Sequence, residues 1–288
     1  MSVEVRKVTN SDKNDVLDIS RHIWGGHDYL PSVLDDWLKD SSSNVFGVQL
    51  GSHIVAVANL RIIESGKIGW MEGLRVHPQH VGKGYANLLT EKLVATARNA
   101  GVQRLRYTTA IDNKASLKLA EKHGFARVFE MGVSWRARPK VKLLAEVDSK
   151  VKKSNVSEVY RLLKNNPHIV PHGILVYDWK ALDFTVENLK EIGKSHSFYV
   201  SLKESQIDTL SFAYVSHRPD QLVWVFTVCS SDAKSVISHF SLHESLAQKS
   251  NCGAMMCTYK ADFEEDLRKS KLISRRWNTH LVLLERSV

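Results

Sequence analysis

The sequence contains only three cysteines among its 288 residues, and all of them lie in its last sixty positions. Cys229, Cys252 and Cys257 do not stand at the spacing of a metal site, and they form no plausible disulfide framework. We therefore expect a reducing compartment, with the cytoplasm as the location. The three thiols are predicted to fill buried apolar positions.

Long hydrophobic runs are also missing. The apolar run His53–Ile63 is interrupted by Asn59 and Arg61 and is too short to cross a bilayer. The residues that follow Met1 are polar and charged, where a secretion signal would have an apolar core. We expect neither a membrane partner nor secretion.

The formal charge of +9 raises the question of a nucleic-acid partner. The Lys and Arg residues are spread along the chain, with modest runs at 136–140 and 150–153. These runs lack the interleaved aromatic residues of a single-strand binding surface and match no nucleic-acid module. We expect a solvated basic surface and no nucleic acid.

The segment around residue 80 is the most informative part of the chain. An apolar strand is predicted at about 67–76, and a long helix is predicted from about Lys83 to Ala100. Between them, Gly82 and Gly84 let the backbone approach a ligand closely because they have no Cβ. The free N–H groups of a helix start bind anions. The pattern therefore predicts a pyrophosphate site, although an ordinary strand-to-helix turn with glycines reads the same way.

A second motif lies downstream. Gln79-x-x-Gly82-x-Gly84 is followed by Asn113-x-x-Ser116, and that helix closes on Gly124-Phe125. Both motifs, in this order, are similar to those of the GNAT superfamily of acyl-CoA N-acyltransferases. The resemblance implies an α/β (α+β) fold with a central mixed, mostly antiparallel sheet flanked by helices. It also implies N-acetyltransferase activity with acetyl-CoA as co-substrate.

Within that superfamily, three short segments resemble the histidine N-acetyltransferases of vertebrates. They are Ile23–Pro31, Trp37-Leu38-x-Asp40 and Glu72–Val76. This narrower resemblance implies a small free amino acid as acceptor, with histidine as the candidate.

The GNAT resemblance places acetyl-CoA along the strand and the turn. Main-chain groups of Leu74 and Val76 would pair with pantetheine, and the amides of the turn would bind the pyrophosphate. A metal site is not expected, because the histidines near these motifs have no partners at ligand spacing. The residues predicted to bind the cofactor are Leu74, Arg75, Val76, Val81, Gly82, Lys83, Gly84, Tyr85, Ala86 and Asn113.

Glu72 is the candidate general base, since it shares a strand face with Leu74 and Val76. A structural carboxylate, or an anchor for the substrate ammonium, remains an alternative. Many family members have a tyrosine four residues before the second Gly-Phe, where this chain has Ala120. Tyr29 is the substitute candidate for the general acid, and simple packing of its ring is equally open.

The loop that precedes Pro31 resembles the segment that covers the acceptor in this family. Trp24, Asp28 and Tyr29 on this loop are predicted to bind the acceptor, together with Arg61. Arg61 or Arg75 would bind the carboxylate of an amino acid. Two other functions stay open: acetylation of protein lysines or N-termini, and acyl-CoA binding without catalysis. The sequence leaves the oligomeric state undefined.

The second half repeats the order of the first. The strand, helix, strand, helix, strand order of residues 67–136 recurs over residues 221–285. The turn at residues 230–235 contains no glycine, so we do not expect a second cofactor site. We predict an acetyl-CoA-binding catalytic domain over residues 1–138, a linker over 139–153, and a degenerate GNAT-like domain over 154–288.

Overall fold

The computed structural model describes residues 2–137, 151–218, 221–273 and 278–288. By its internal packing the chain divides into two units, and the division passes through three strands. The first unit consists of Met1–Tyr107, Lys114–Arg127 and Leu284–Val288. The second unit consists of Thr108–Asn113 and Val128–Leu283. The domain boundaries drawn from the sequence stay a prediction, and residues 139–150 of the predicted linker lie outside the described residues.

The first part of the chain alternates strands and helices as the apolar periodicity predicts. Its elements are β1 (Val3–Lys7), α1 (Lys13–Arg21), α2 (Leu30–Lys39), β2 (Ser43–Leu50), β3 (His53–Ile63), β4 (Ile68–Val76), α3 (Tyr85–Asn99), β5 (Arg104–Ala110), α4 (Lys114–Lys122) and β6 (Ala126–Ala137).

In the first unit, β1, β2, β3 and β4 pair antiparallel in that order, and β5 pairs parallel to β4. Helix α1 packs on β3, α2 packs on β2, and α3 packs on β3 and β4. One apolar core joins these elements; its fully buried members include Val16, Ile19, Leu30 and Val57. The predicted mixed, mostly antiparallel sheet flanked by helices is confirmed.

The second part of the chain contains twelve further helices and strands among the described residues. They are β7 (Lys152–Ser154), α5 (Val156–Asn165), β8 (Ile174–Tyr177), β9 (Lys180–Asp183), α6 (Val186–Gly193), β10 (Ser197–Lys203), β11 (Gln206–His217), β12 (Leu222–Ser230), α7 (Ala233–Lys249), β13 (Ala254–Lys260), α8 (Glu264–Lys269) and β14 (Asn278–Ser287).

In the second unit, β7, β10, β11 and β12 pair antiparallel in that order. Strand β13 pairs parallel to β12, and β6 pairs antiparallel to β13. Helix α7 packs on β11, β12 and β13. An antiparallel pair, a helix and a parallel strand therefore follow one another here, as they do from β3 to β5. That this unit is a degenerate second copy of the fold stays a prediction.

The chain ends inside the first unit. Arg106 on β5 is almost fully buried, and its Nε donates to the carboxylate of Glu285 on β14 at 2.5 Å. The guanidinium of Arg286 lies 5.8 Å from the ring centre of Phe125, and the last backbone N–H donates to the carbonyl of Gln103. These contacts join the C-terminal residues to the first unit.

Two expectations from scarce residues have structural outcomes. Cys229, Cys252 and Cys257 are free and buried, and burial raises the pKa of Cys229 and Cys257 to about 12. Thiols with so high a pKa are poor nucleophiles at neutral pH, which agrees with the predicted packing role. Among the described residues, no helix is long and apolar enough to cross a membrane.

Candidate active site

Strand β4 carries a bulge in the middle of its pairing with β3. Asn59 pairs with Glu72 and Val57 pairs with Arg75, so Gly73 and Leu74 together face only Ala58. Gly73 has φ +67°, a left-handed conformation that glycine adopts without strain. The bulge interrupts the strand directly after Glu72 and changes the direction of the residues that follow.

Trp37 from α2 packs on the bulge. A Cβ placed on Gly73 would lie 2.5 Å from Cη2 of Trp37, which is a rigid and buried ring. Both the backbone conformation and the lack of space therefore require glycine at this position. The Trp37 motif found in the sequence fixes the segment that carries Glu72.

We expect Gly73→Ala to destabilise the first unit by about 2–4 kcal/mol, which combines the left-handed conformation with overpacking against Trp37. Urea unfolding of the full chain measures the effect. Gly66→Ala is the matched control, because Gly66 also has a positive φ (+88°) but no atom within 4 Å of an added Cβ. Equal losses in the two variants would show that the Trp37 contact contributes nothing.

Beyond the bulge, one edge of β4 has no strand partner. The parallel pairing with β5 covers three residue pairs and ends at Trp70 and Arg106. Residues 71–76 therefore pair only with β3 among the described residues. Main-chain groups along that edge, including those predicted at Leu74 and Val76, are available to an extended ligand.

The turn after β4 exposes the start of α3. Residues 81–84 are all exposed, and Gly82 and Gly84 have φ values of +81° and +83°. Gly84 is the N-cap residue and no side chain caps the helix. The N–H groups of Tyr85 and Ala86 therefore point out of an uncapped helix start, where the helix dipole favours an anion. An added Cβ would meet no atom within 4 Å at either glycine, so space for a ligand remains above the backbone.

Two basic side chains stand beside this turn. Lys83 Nζ lies 3.2 Å from Nδ1 of His80. Partial burial, with the nearby charges of Lys83 and His77, lowers the pKa of His80. A bound phosphate would act in the opposite direction because it favours the imidazolium form.

The corresponding helix of the second unit is closed. The carboxylate of Asp232 caps α7 by accepting from the N–H of Ser235 at 2.9 Å. Strands β12 and β13 stay paired from Val223 to Val228, and β11 and β12 pair without a bulge. A capped helix and continuous strand pairing leave neither the anion site nor the unpaired strand edge of the first unit.

The acceptor loop is attached to β4 through an ion pair. Asp28 accepts from Nε and Nη2 of Arg75, at 3.0 Å each, and its carboxylate is fully buried. The guanidinium of Arg75 lies 4.7 Å from the ring centre of Trp24 and 5.4 Å from that of Tyr29. Asp28 and Arg75 therefore bind one another, and we propose that they position the loop in place of contacting acceptor or cofactor directly.

Trp24 is held in an exposed position. Its side chain is 64% exposed and its φ is +47°, an uncommon conformation for a bulky residue. One face of the indole lies on Arg75. An exposed aromatic ring on a charged partner offers a flat surface to a ligand.

Tyr29 reaches the bulge. Its hydroxyl oxygen accepts from the N–H of Gly73, and its ring meets Trp37 edge to face with centres 6.3 Å apart. Burial, partly offset by the charge of Arg75, raises the pKa of Tyr29 to about 12. The hydroxyl therefore keeps its proton at neutral pH, as a general acid must.

Glu72 has two polar neighbours on β3. Its Oε1 accepts from Nδ2 of Asn59 at 3.2 Å and lies 3.7 Å from Nε of Arg61. The side chain of Glu72 is 11% exposed and that of Arg61 is 28% exposed. Nε of Arg61 is buried and has no hydrogen-bond partner within the described part of the chain. The structure thus brings Glu72, Tyr29 and Arg61 together at the bulge.

Sequence analysis missed Asn59 as a member of the site. It is fully buried on a strand that is otherwise apolar from Ile54 to Leu60. An uncompensated amide in such a run is costly, so the residue type itself was a signal of a buried partner. Asn113, the last predicted cofactor residue, belongs to the second unit, where its amide donates to Oγ1 of Thr109 at 3.1 Å.

A cluster of Asp18, His22 and His77 has ligand atoms within 4.8 Å of one another. Nδ1 of His77 accepts from the backbone N–H of Gln79, which leaves the proton of the neutral ring on Nε2. Nε2 faces Asp18 at 3.4 Å. This nitrogen therefore donates to Asp18, and the cluster is better described as a hydrogen-bonded group than as a metal centre.

Residues 13–125 match the family model described as "Acetyltransferase (GNAT) family". The chain therefore contains a GNAT acetyltransferase domain, and this family consists of acyltransferase enzymes. The predicted superfamily is confirmed. The matched range includes all the predicted site residues.

Two curated relatives are similar to parts of the chain. The histidine N-acetyltransferase of Oreochromis niloticus is 36% identical over 81 residues, which are 28% of this chain and 24% of the relative. The human protein named "Probable N-acetyltransferase 16" is 26% identical over 199 residues, which are 63% of this chain and 54% of the relative. The chain thus matches about half or less of the length of these relatives.

Solved structures share the fold over the whole chain. A GCN5-related N-acetyltransferase from Sphaerobacter thermophilus superposes with a TM-score of 0.68, at 11% identity, over 99% of this chain and 95% of that chain. Another from Kribbella flavida gives a TM-score of 0.53, at 13% identity, over 99% and 71%. At these identities the likeness concerns the fold alone.

Proposed function

We propose that the protein transfers the acetyl group of acetyl-CoA to the α-amine of a free amino acid, with histidine as the first candidate. The observation that carries this proposal is the placement of Glu72 and Arg61 side by side at the bulge, 3.7 Å apart. A free amino acid carries its ammonium and its carboxylate on one carbon atom. A neighbouring carboxylate and guanidinium complement that pair of charges. A lysine side chain in a protein lacks the adjacent carboxylate.

The residues present fit acetyl-CoA, which supplies the activated acetyl thioester. The uncapped start of α3 and the exposed glycines at 82 and 84 would hold the pyrophosphate. The unpaired edge of β4 would hold the pantetheine arm along Leu74 and Val76. The thioester would then lie near the bulge, between the cofactor turn and the acceptor loop.

Glu72 and Tyr29 have complementary roles in this scheme. Glu72 accepts a proton from the ammonium, and the freed amine attacks the thioester carbonyl carbon. The new C–N bond forms, the C–S bond breaks, and the amine loses its second proton. Tyr29, whose raised pKa keeps it protonated, donates to the departing thiolate. The products are the N-acetyl amino acid and free CoA.

Histidine as the acceptor is supported by two features. The relatives from Oreochromis niloticus and Xenopus tropicalis carry the name histidine N-acetyltransferase. The exposed ring of Trp24, on the loop joined to β4, offers a flat surface to an imidazole.

We expect Arg61→Gln to raise the KM for histidine about 10- to 100-fold, since a hydrogen bond to a charged group contributes roughly 1.5–3 kcal/mol. Histamine has the same imidazole but no carboxylate, so its KM should be high with the wild-type protein and unchanged by the substitution. Thiol release from acetyl-CoA measures both. Arg21→Gln, on the exposed face of α1, is the matched control.

Other acceptors would overturn the proposal. Faster thiol release with peptides than with any free amino acid would indicate a protein acetyltransferase. Tight CoA binding without thiol release, across free amino acids, amines and peptides, would indicate a binding protein without catalysis.

A further inference from the structure

Asn59 is the one side chain of β3 that donates to the candidate base. It lies directly opposite Glu72 in the strand register and is fully buried. Its Nδ2 donates to Oε1 of Glu72 at 3.2 Å and to Oγ of Ser43 at 3.3 Å. Its Oδ1 accepts from the backbone N–H of Asn44 at 3.1 Å.

The orientation of this amide follows from its partners. The backbone N–H of Asn44 can only donate, so the atom that faces it must be the oxygen Oδ1. Nδ2 must therefore face Glu72, and it presents a donor to a carboxylate oxygen. A donor stabilises the ionised form of a carboxyl group over the neutral form. The backbone of β2 thus fixes the polarity of the contact.

The amide also occupies the side of Oε1 that faces β3. Nε of Arg61 lies 3.7 Å from the same oxygen, beyond hydrogen-bonding distance. A closer pair would hold the guanidinium and the carboxylate against one another and leave neither to the acceptor. The amide has no charge, so it satisfies Oε1 without neutralising Glu72.

We infer that Asn59 is a positioning residue that keeps Glu72 ionised as the proton acceptor and keeps Arg61 available to the carboxylate of the substrate. This inference rests on the proposed function for its catalytic consequence. Its electrostatic part concerns Glu72 alone and can be measured without any substrate.

The test exchanges the donor for an acceptor of the same shape. In Asn59→Asp the two facing carboxyl groups share a proton, so Glu72 should titrate at a pH at least one unit higher. Carbon-13 NMR of the full chain, labelled at the glutamate carboxyl carbons and assigned with Glu72→Gln, reads this shift directly. The acid limb of the pH–rate profile should move upward equally, with kcat about 10- to 100-fold lower at pH 7 and unchanged acetyl-CoA affinity.

Two further variants keep the test decisive. Ser43→Ala removes one anchor of the amide, retains the fold and should give a smaller shift in the same direction. Asn44→Asp introduces the same charge one strand away, on a side chain that faces the carbonyl of Leu60, and should change kcat less than threefold. If Asn59→Asp does not fold, Ser43→Ala alone decides between a shift and none.

The outcomes separate this inference from the proposed function. Lower kcat in the Asn59 and Ser43 variants, with an unmoved Glu72 titration and an unmoved pH profile, would reduce Asn59 to a structural role and overturn the inference. A shifted titration with full activity in Glu72→Gln would support the electrostatic contact but overturn the role of Glu72 as the base.

Discussion

Replacing Glu72 by glutamine is expected to lower kcat by ~10²–10⁴-fold, the usual contribution of a general base. The acceptor amine is mostly protonated at neutral pH, and glutamine keeps the shape of the side chain without its basicity. The KM for acetyl-CoA should stay near the wild-type value, because the turn and the start of α3 are unchanged. Raising the pH should partly restore the rate, since free amine then becomes available without help.

Steady-state kinetics across pH distinguish this role from its alternatives. A higher KM for the amine with intact kcat would make Glu72 an anchor for the ammonium. Unchanged parameters would leave the carboxylate with a structural role. Glu91→Gln is the matched control, because Glu91 is exposed on α3 and bonds only to the neighbouring turn of that helix.

Gly84→Asp is expected to weaken CoA binding at least ~100-fold, or about 3 kcal/mol. It would bring to α3 the kind of carboxylate that Asp232 supplies to α7. That carboxylate would accept from the free amides and would repel the pyrophosphate. Wild-type protein should bind one CoA per chain, because only the first unit has an uncapped helix beside an unpaired strand edge. Calorimetry with CoA gives both the affinity and the stoichiometry.

Gly101→Asp is the control for this prediction. Gly101 lies at the other end of α3 and has a positive φ of +71° with no atom within 4 Å of an added Cβ. It shares the conformational cost but not the anion site, so its CoA affinity should match the wild type. Two CoA molecules per chain, or unchanged binding in Gly84→Asp, would contradict the assignment of the turn.

Much of the first unit was predictable from local patterns. Apolar periodicity indicated strands at Val45–Leu50 and Ile54–Ile63, and the structure has them at Ser43–Leu50 and His53–Ile63. Glycine at 101 indicated the end of α3, which stops at Asn99. These signals are reliable because each depends on neighbours in the sequence.

The segment between residues 154 and 217 gave no comparable signal. It holds two helices and five strands, including the short hairpin of β8 and β9. Four-residue strands do not establish a period. In the same unit, the fully buried His239 and His243 both contact Ser211 Oγ, at 2.7 and 2.8 Å. Such a polar core depends on residues distant in sequence and leaves no local pattern.

The site was predictable in part for the same reason. Sequence motifs indicated Glu72, Tyr29 and Arg61, and the structure brings them to one bulge, although their catalytic roles stay predictions. The bulge itself was not foreseen, because Gly73 in a strand pattern is compatible with several backbone shapes. The pairing of Asp28 with Arg75 joins residues 47 positions apart, and charge complementarity over that separation has no signature in a single sequence.

The last five residues have a consequence for biosynthesis. Glu285 reaches the nearly buried guanidinium of Arg106, yet 178 residues are translated between Tyr107 and Glu285. At usual elongation rates this delay lasts roughly ten to forty seconds. A ribosome-bound chain therefore holds the motif-bearing segment complete but without the carboxylate that Arg106 meets in the finished fold. The segment must wait for the stop codon, which makes the C-terminus the step that completes folding.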